Sequence, residues 1–318
     1  MPKKTIIIII QSVFLVCPIL WLVFAVDYKS VFSVLQSIRF PVILLLITIL
    51  LIRFTLQSIR FWLLAKPFSK NIKIGEFIAL DWKARYYAVI MPSSAGQDIA
   101  RAVLLKNYLS AGEIAAVSVF FRITGMITFI LLACFGFFNL YSEQSAAAII
   151  VSVFVLLLAV SAVLAVSFSE KLAKKTLSIL PQKTPKKLII LLENSSRAIL
   201  LYKKLPKLVA LNLVFSFFLH ILYIFFSITL IYAVSGELMV AECIKFLPPI
   251  EIAAAAFPFS PSGAGIREGL LILFFDLTKQ TKEQAFSYIT LNALTYLIPL
   301  AGFFIVIYEK IKRKTPLS

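Results

Sequence analysis

The chain is written mostly in long apolar runs, not in the two-residue alternation of a strand or the narrow stripe of a soluble helix. A helix needs about 20 apolar residues to cross the hydrocarbon of a bilayer. Runs of that kind predict spans at 5–26, 41–65, 113–140, 145–168, 207–235 and 283–308. Two pairs of shorter, less apolar segments interrupt the series, 74–91 with 95–109 and 241–257 with 265–277. Helix breakers divide each pair: Met91-Pro92-Ser93-Ser94-Ala95-Gly96 in the first, and Pro258-Phe259-Ser260-Pro261-Ser262-Gly263-Ala264-Gly265 in the second. The pattern predicts an all-α polytopic membrane protein of about six full spans and two broken hairpins. It forms a single domain over 1–318, with segment 169–206 as a basic amphipathic piece on the cytosolic membrane surface.

Composition fits this reading. Of 318 residues, 61% are hydrophobic and only 15% charged, with a mean hydropathy of +0.97. A soluble globule could not hide that much apolar surface. The net charge of +17 would suggest nucleic acid in a soluble protein. Here the lysines sit between spans, where they set topology and meet anionic lipid heads, so anionic membrane lipids are the expected partners and nucleic acid is not. Basic residues place the N-terminus, the 66–73 loop, 169–206 and the tail on the cytoplasmic side of the cell membrane. The 141–144 and 236–242 loops, which lack basic residues, fall outside; Lys279 and Lys282 are the one exception. The first run is too long for a signal peptide and lacks a cleavage site, so it is expected to stay as a span. Cys17, Cys134 and Cys243 lie far apart in apolar stretches and read as packing residues.

The two breaks share the pattern Pro-Ser-x-Ala-Gly, at 92–96 and 261–265, and each precedes a helix with charges in its first turns. Sidedness opens the first pair to the cytoplasm and the second to the outside. That is the pattern of an inverted repeat, whose broken helices meet near the midplane and form a substrate site. Non-helical backbone is tolerated at that depth only when buried in protein or lining an aqueous cavity, and a helix start is an anion site. The plainer alternative is capping, with Ser94 and Gln97 as a capping box and Asp98 and Glu268 complementing the helix dipole. It leaves Arg101 and Arg267 at the wrong end of that dipole, and arginine at membrane depth costs about 2.5–3.5 kcal/mol on insertion scales. An internal pair between Asp98 and Arg101 is the structural alternative to a binding role.

Other charges are embedded as well. Arg53, Gln57 and Arg60 share one face of the second span; Arg60 can snorkel to the cytoplasmic side, whereas Arg53 cannot. Arg122 lies within the 113–140 span, and Asp81, Lys83 and Arg85 in the first helix of the first pair. Seven positive residues (Arg53, Arg60, Lys83, Arg85, Arg101, Arg122, Arg267) stand against four negative ones (Asp81, Asp98, Glu251, Glu268), seven minus four giving +3. An excess of arginine suits a phosphate. His220, the single histidine, reads as a packed core residue. Zinc spacing, a nucleophile elbow and a Walker loop are all missing. No cofactor is therefore expected, no ATP hydrolysis of its own, and no enzyme activity.

The stretches Gly96-Gln97-Asp98-Ile99-Ala100-Arg101 and Ser260-Pro261-Ser262-Gly263-Ala264-Gly265-Ile266-Arg267-Glu268 resemble the two signature regions of the lysylphosphatidylglycerol synthase transmembrane family, also called flippase-like domain proteins. Arg122 resembles a further family arginine. Gln97 departs from the pattern, which has an acidic residue there. The resemblance implies translocation of a lipid or lipid-linked headgroup between leaflets, without the cytosolic aminoacyl-transferase domain of full synthases. Arg101 and Arg267 would then hold the phosphate. Asp98 and Glu268 would orient those arginines or meet a cationic headgroup. Ser94, Gly96, Ser260, Gly263 and Gly265 would allow close approach, with Arg53, Arg85 and Arg122 lining the site. Two rivals remain: a non-transporting partner of a glycosyltransferase or lipid-modifying enzyme, expected to have Arg267 fully paired to Glu268 or Glu251 in a tight interior with no headgroup-sized space, and an embedded lipid transferase.

Overall fold

The computed structural model describes residues 28–69, 72–90, 96–140, 199–256, 266–292 and 294–314. The expected spans 5–26 and 145–168, most of segment 169–206, and the break residues Ser94, Ser260, Gly263 and Gly265 lie outside these. Among the described residues the chain is helical throughout, with no strand. The helices are α1 (Tyr28–Ser37), α2 (Phe40–Ala65), α3 (Ile74–Ile90), α4 (Gly96–Leu104), α5 (Ala111–Leu140), α6 (Pro206–Ser235), α7 (Val240–Ala256), α8 (Ile266–Leu277), α9 (Lys282–Asn292), α10 (Leu294–Leu297) and α11 (Gly302–Lys314). A 3-10 turn (Ile298–Ala301) precedes the last. In α2, α6 and the Ala111–Phe135 part of α5, length and composition suffice to cross a bilayer.

Local chemistry sets the ends of the long helices. Both α2 and α6 carry proline in the first turn, where its missing N–H is no loss. Helix α6 stops at Gly236, which takes the left-handed cap conformation with φ of 74°. At the centre α2 packs along α6, with α5 against both. Leu46, Leu50 and Phe54 of α2 are buried with Phe226, Leu230 and Ile231 of α6. In lipid such helices associate through van der Waals fit and interhelical polar contacts.

The two broken pairs are built alike. Helix α3 packs on α4, and α7 on α8. In each pair, residues at the start and the end meet. The Tyr108 hydroxyl, just past α4, donates to Glu76 in the first turn of α3. Gln280, just past α8, donates from Nε2 to Glu237, just ahead of α7, at 3.0 Å. Each pair therefore enters and leaves at one end, as a hairpin. A reciprocal capping box then starts the next helix. Ser110 and Glu113 exchange bonds of 2.7 and 3.3 Å ahead of α5, and Thr281 and Gln284 exchange bonds of 2.9 and 3.2 Å ahead of α9.

One expectation about the helices needs correction. The 283–308 run is not one continuous helix; it is divided into α9, α10, the 3-10 turn and α11. Pro299 sits in that turn and has no N–H to continue the ladder. Residues 28–37, left unassigned above, form α1 and pack on α9. The end of the basic segment is built into the protein, because the buried Tyr202 stacks on Phe120 at 4.1 Å and donates to the Leu64 carbonyl at 2.8 Å.

Helix α11 closes on α3 through Gly302. A Cβ there would overlap the Trp82 carbonyl oxygen and lie 2.9 Å from the Tyr86 Cβ, and backbone cannot yield as a side chain can. Gly302→Ala is expected to cost about 1–3 kcal/mol by overpacking, read as a lowered unfolding midpoint of the detergent-purified protein. Gly75→Ala, with open space around it, is the control; a Gly302→Ala protein as stable as that control would mean the α3–α11 contact is looser than described.

Candidate functional site

In the first hairpin the charges gather on Asp81 of α3, which is completely buried. From α2, the Ser58 hydroxyl donates to its Oδ2 at 2.6 Å. Arg85, one turn along α3, reaches the same oxygen at 3.0 Å. From α4, Arg101 donates through Nε to Oδ1 at 2.7 Å. Arg101 also bonds Asp98 at 3.1 Å, and Asp98 accepts from Ser118 at 2.7 Å and from Arg122, both on α5. The guanidinium of Arg101 lies 3.8 Å over the Phe61 ring and that of Arg85 5.1 Å over Phe54, contacts that favour a cation. One carboxylate thus joins α2, α3 and α4.

The second hairpin repeats the device. Glu251 of α7 receives Arg267 of α8 in a bidentate fork, Nε to Oε1 at 2.8 Å and a terminal nitrogen to Oε2 at 2.9 Å. The Tyr223 hydroxyl of α6 donates to Oε1 at 2.6 Å. In each half, then, a carboxylate on the first hairpin helix holds an arginine on the second, and a hydroxyl from a central helix completes it. Arg53 of α2 stands between the two groups of charges. It lies 4.9 Å over the Tyr223 ring, within electrostatic reach of Glu251 and Arg267 on one side and of Arg85 on the other. Its Nε is buried without a hydrogen-bond partner among the described residues.

Of the residues singled out from sequence, Arg85, Asp98, Arg101 and Arg122 fall in the first cluster and Arg267 in the second, with Arg53 between them, Glu268 beside Arg267 and Gly96 buried at the start of α4. The Asp98–Arg101 pair expected from spacing is present, yet the stronger tie of Arg101 is to Asp81. Lys83 is not part of the site. Its Nζ lies 2.7 Å from Glu309 of α11. Nor does Arg60 snorkel. It is buried and donates inward to the Phe121 carbonyl at 2.8 Å, to Thr124 at 2.7 Å and to Asn212 at 3.3 Å. His220 is a core residue as expected, with Nε2 3.1 Å from the Gly125 carbonyl oxygen. It belongs to a buried polar stripe on α6, Asn212, Ser216, His220, Tyr223 and Ser227, at helical spacing.

A family model described as the lysylphosphatidylglycerol synthase TM region matches residues 8–302. The chain belongs to that family. None of the curated proteins matches it. Membership in the lysylphosphatidylglycerol synthase TM family supports a membrane protein with a lipid-related role. The two stretches that resemble the family's signatures supply Arg101 and Arg267, with Asp98 beside Arg101, but Asp81 and Glu251, which tie each arginine to the first helix of its hairpin, lie outside both. Asp81 and Glu251 were countable as embedded charges. Their pairing across the hairpins, 20 and 16 residues along the chain, is invisible to helical spacing.

Removing the hub would leave the buried Arg85 without its counter-charge and Arg101 with Asp98 alone, a change that costs about 3–5 kcal/mol. Asp81→Ala should therefore lower stability by that amount in denaturation of the purified protein. Arg122→Ala, whose side chain is 57% exposed, should cost about 1 kcal/mol or less. Equal effects of the two would contradict the hub role of Asp81.

Proposed function

We propose that this protein moves an anionic lipid, or a lipid-linked headgroup, between the two leaflets of the cell membrane. One observation carries the reading: in each broken hairpin the second helix brings an arginine to a carboxylate of the first, with Arg53 between the two pairs. Both guanidinium groups are held by carboxylates, which solves the energetic problem of keeping arginine at membrane depth without a ligand. A phosphate can take the carboxylate's place in the same bidentate geometry. The matching hairpins, end-to-end clasps and capping boxes support two related halves, and the basic loops support their inverted orientation with both termini in the cytoplasm. Alternating exposure of a site between such halves is a known route for transport.

The same fork favours one rival. Arg267 is fully engaged by Glu251, as expected of a non-transporting partner of a glycosyltransferase or lipid-modifying enzyme. Proteoliposomes separate the two. Wild-type protein should accelerate flipping of fluorescent phosphatidylglycerol or polyprenyl phosphate, and Arg267→Ala, if still monodisperse, should slow it at least tenfold. Absence of flipping by wild type with either lipid would favour the partner role.

A further inference from the structure

We infer that headgroup binding at this site is coupled to proton uptake, with Glu251 as the group that takes up a proton when an anionic headgroup occupies Arg267. The inference deepens the lipid-site reading and rests on it. Its starting point is a difference between the halves. Asp81 is completely buried and held by two arginines and a serine. Glu251 is held by one arginine and one tyrosine, and both members of its ion pair keep nearly a fifth of their side-chain surface exposed, 17% for Glu251 and 18% for Arg267. Asp81 is built as a fixed anchor, and Glu251 as an exchangeable ligand.

Exchange has a charge requirement. A phosphodiester entering the Arg267 fork displaces the carboxylate, which keeps the Tyr223 hydroxyl as donor and has Arg53 within electrostatic reach. Two anions side by side at low dielectric repel each other, and an ionised carboxylate displaced from its bidentate fork is unfavourable. Protonation removes both penalties: Glu251 gains one proton, becomes a neutral acid, and one anion replaces another at Arg267. No other charge changes. The groups that face Glu251 are consistent with this. On α8 they are Arg267 and its neighbour Glu268, on α6 Tyr223, on α2 Arg53 and on α9 Tyr288. Helix α5 contributes only an apolar wall around Ile252 that includes Cys134. Apart from Glu268, no second carboxylate stands ready to take the proton among these.

Binding of dihexanoyl phosphatidylglycerol to the detergent-purified chain tests this directly, because a phosphodiester has no titration of its own near neutral pH. Calorimetry in buffers of different ionisation enthalpy counts the protons. Wild type should take up one proton per lipid bound, and its affinity should fall about tenfold per pH unit once Glu251 is ionised. Glu251→Gln, a neutral isostere, should bind without proton uptake and without pH dependence. Tyr223→Phe removes a donor to the carboxylate and should move the onset of weakening to higher pH. Wild-type binding without proton uptake, a pH slope retained in Glu251→Gln, or no binding at any pH would each overturn the inference. If binding is proton-linked but no lipid is flipped in proteoliposomes, coupling stands and the transport reading fails. Flipping with pH-independent binding means the reverse.

Discussion

A guanidinium inside a membrane must be accompanied by its counter-charge, and the architecture of this protein follows from that constraint. The bilayer offers no water to solvate an arginine. The chain answers by folding each broken segment into a hairpin, so that a carboxylate on the helix going in meets an arginine on the helix coming out. Asp81 with Arg101 and Glu251 with Arg267 are the two instances. The central helices then contribute hydroxyls, Ser58 from α2 and Tyr223 from α6. Hairpin geometry, helix packing and charge placement are thus one solution to one problem.

Repetition of that solution gives the structure its functional meaning. A buried ion pair is weak grounds for stability, since apolar residues of similar volume often serve as well. Two such pairs, one in each hairpin, are the basis of the proposed headgroup site, in which a phosphate would match the fork that a carboxylate now fills. The halves differ in accessibility: Asp81 is sealed within its partners, whereas Glu251 retains access. That asymmetry distinguishes a scaffold from a position where ligands exchange.

Much of this was legible in the sequence, and the rest was hidden for physical reasons. The apolar runs and the Pro-Ser-x-Ala-Gly breaks located the long helices and both hairpins to within a few residues, because periodicity and helix breakers act locally. The Asp98–Arg101 contact was legible because i,i+3 neighbours meet on any helix. Lys83 with Glu309 was not, since 226 residues separate them and only the fold brings α3 to α11. Arg60 was misread because spacing gives a helix face but not what faces it; Thr124 and Asn212 come from other helices. Two signals were present but unused: the Ser110/Glu113 and Thr281/Gln284 capping boxes, and the stripe from Asn212 to Ser227, of which only His220 drew notice. The division of the last apolar run at Pro299 was also written in the chain, but its hydropathy masked the break.

The most direct test asks whether lipid phosphorus reaches the interior guanidinium groups. Solid-state NMR on protein with isotope-labelled arginine, in vesicles containing phosphatidylglycerol, measures dipolar contact between guanidinium nitrogen and lipid phosphorus. A headgroup site shared by the two hairpins predicts a contact that is lost in Arg267→Lys while the rest of the arginine spectrum is retained. Phosphorus contacts that are the same in wild type and Arg267→Lys would show that lipid reaches only other arginines, and would contradict a binding role for the paired hairpins.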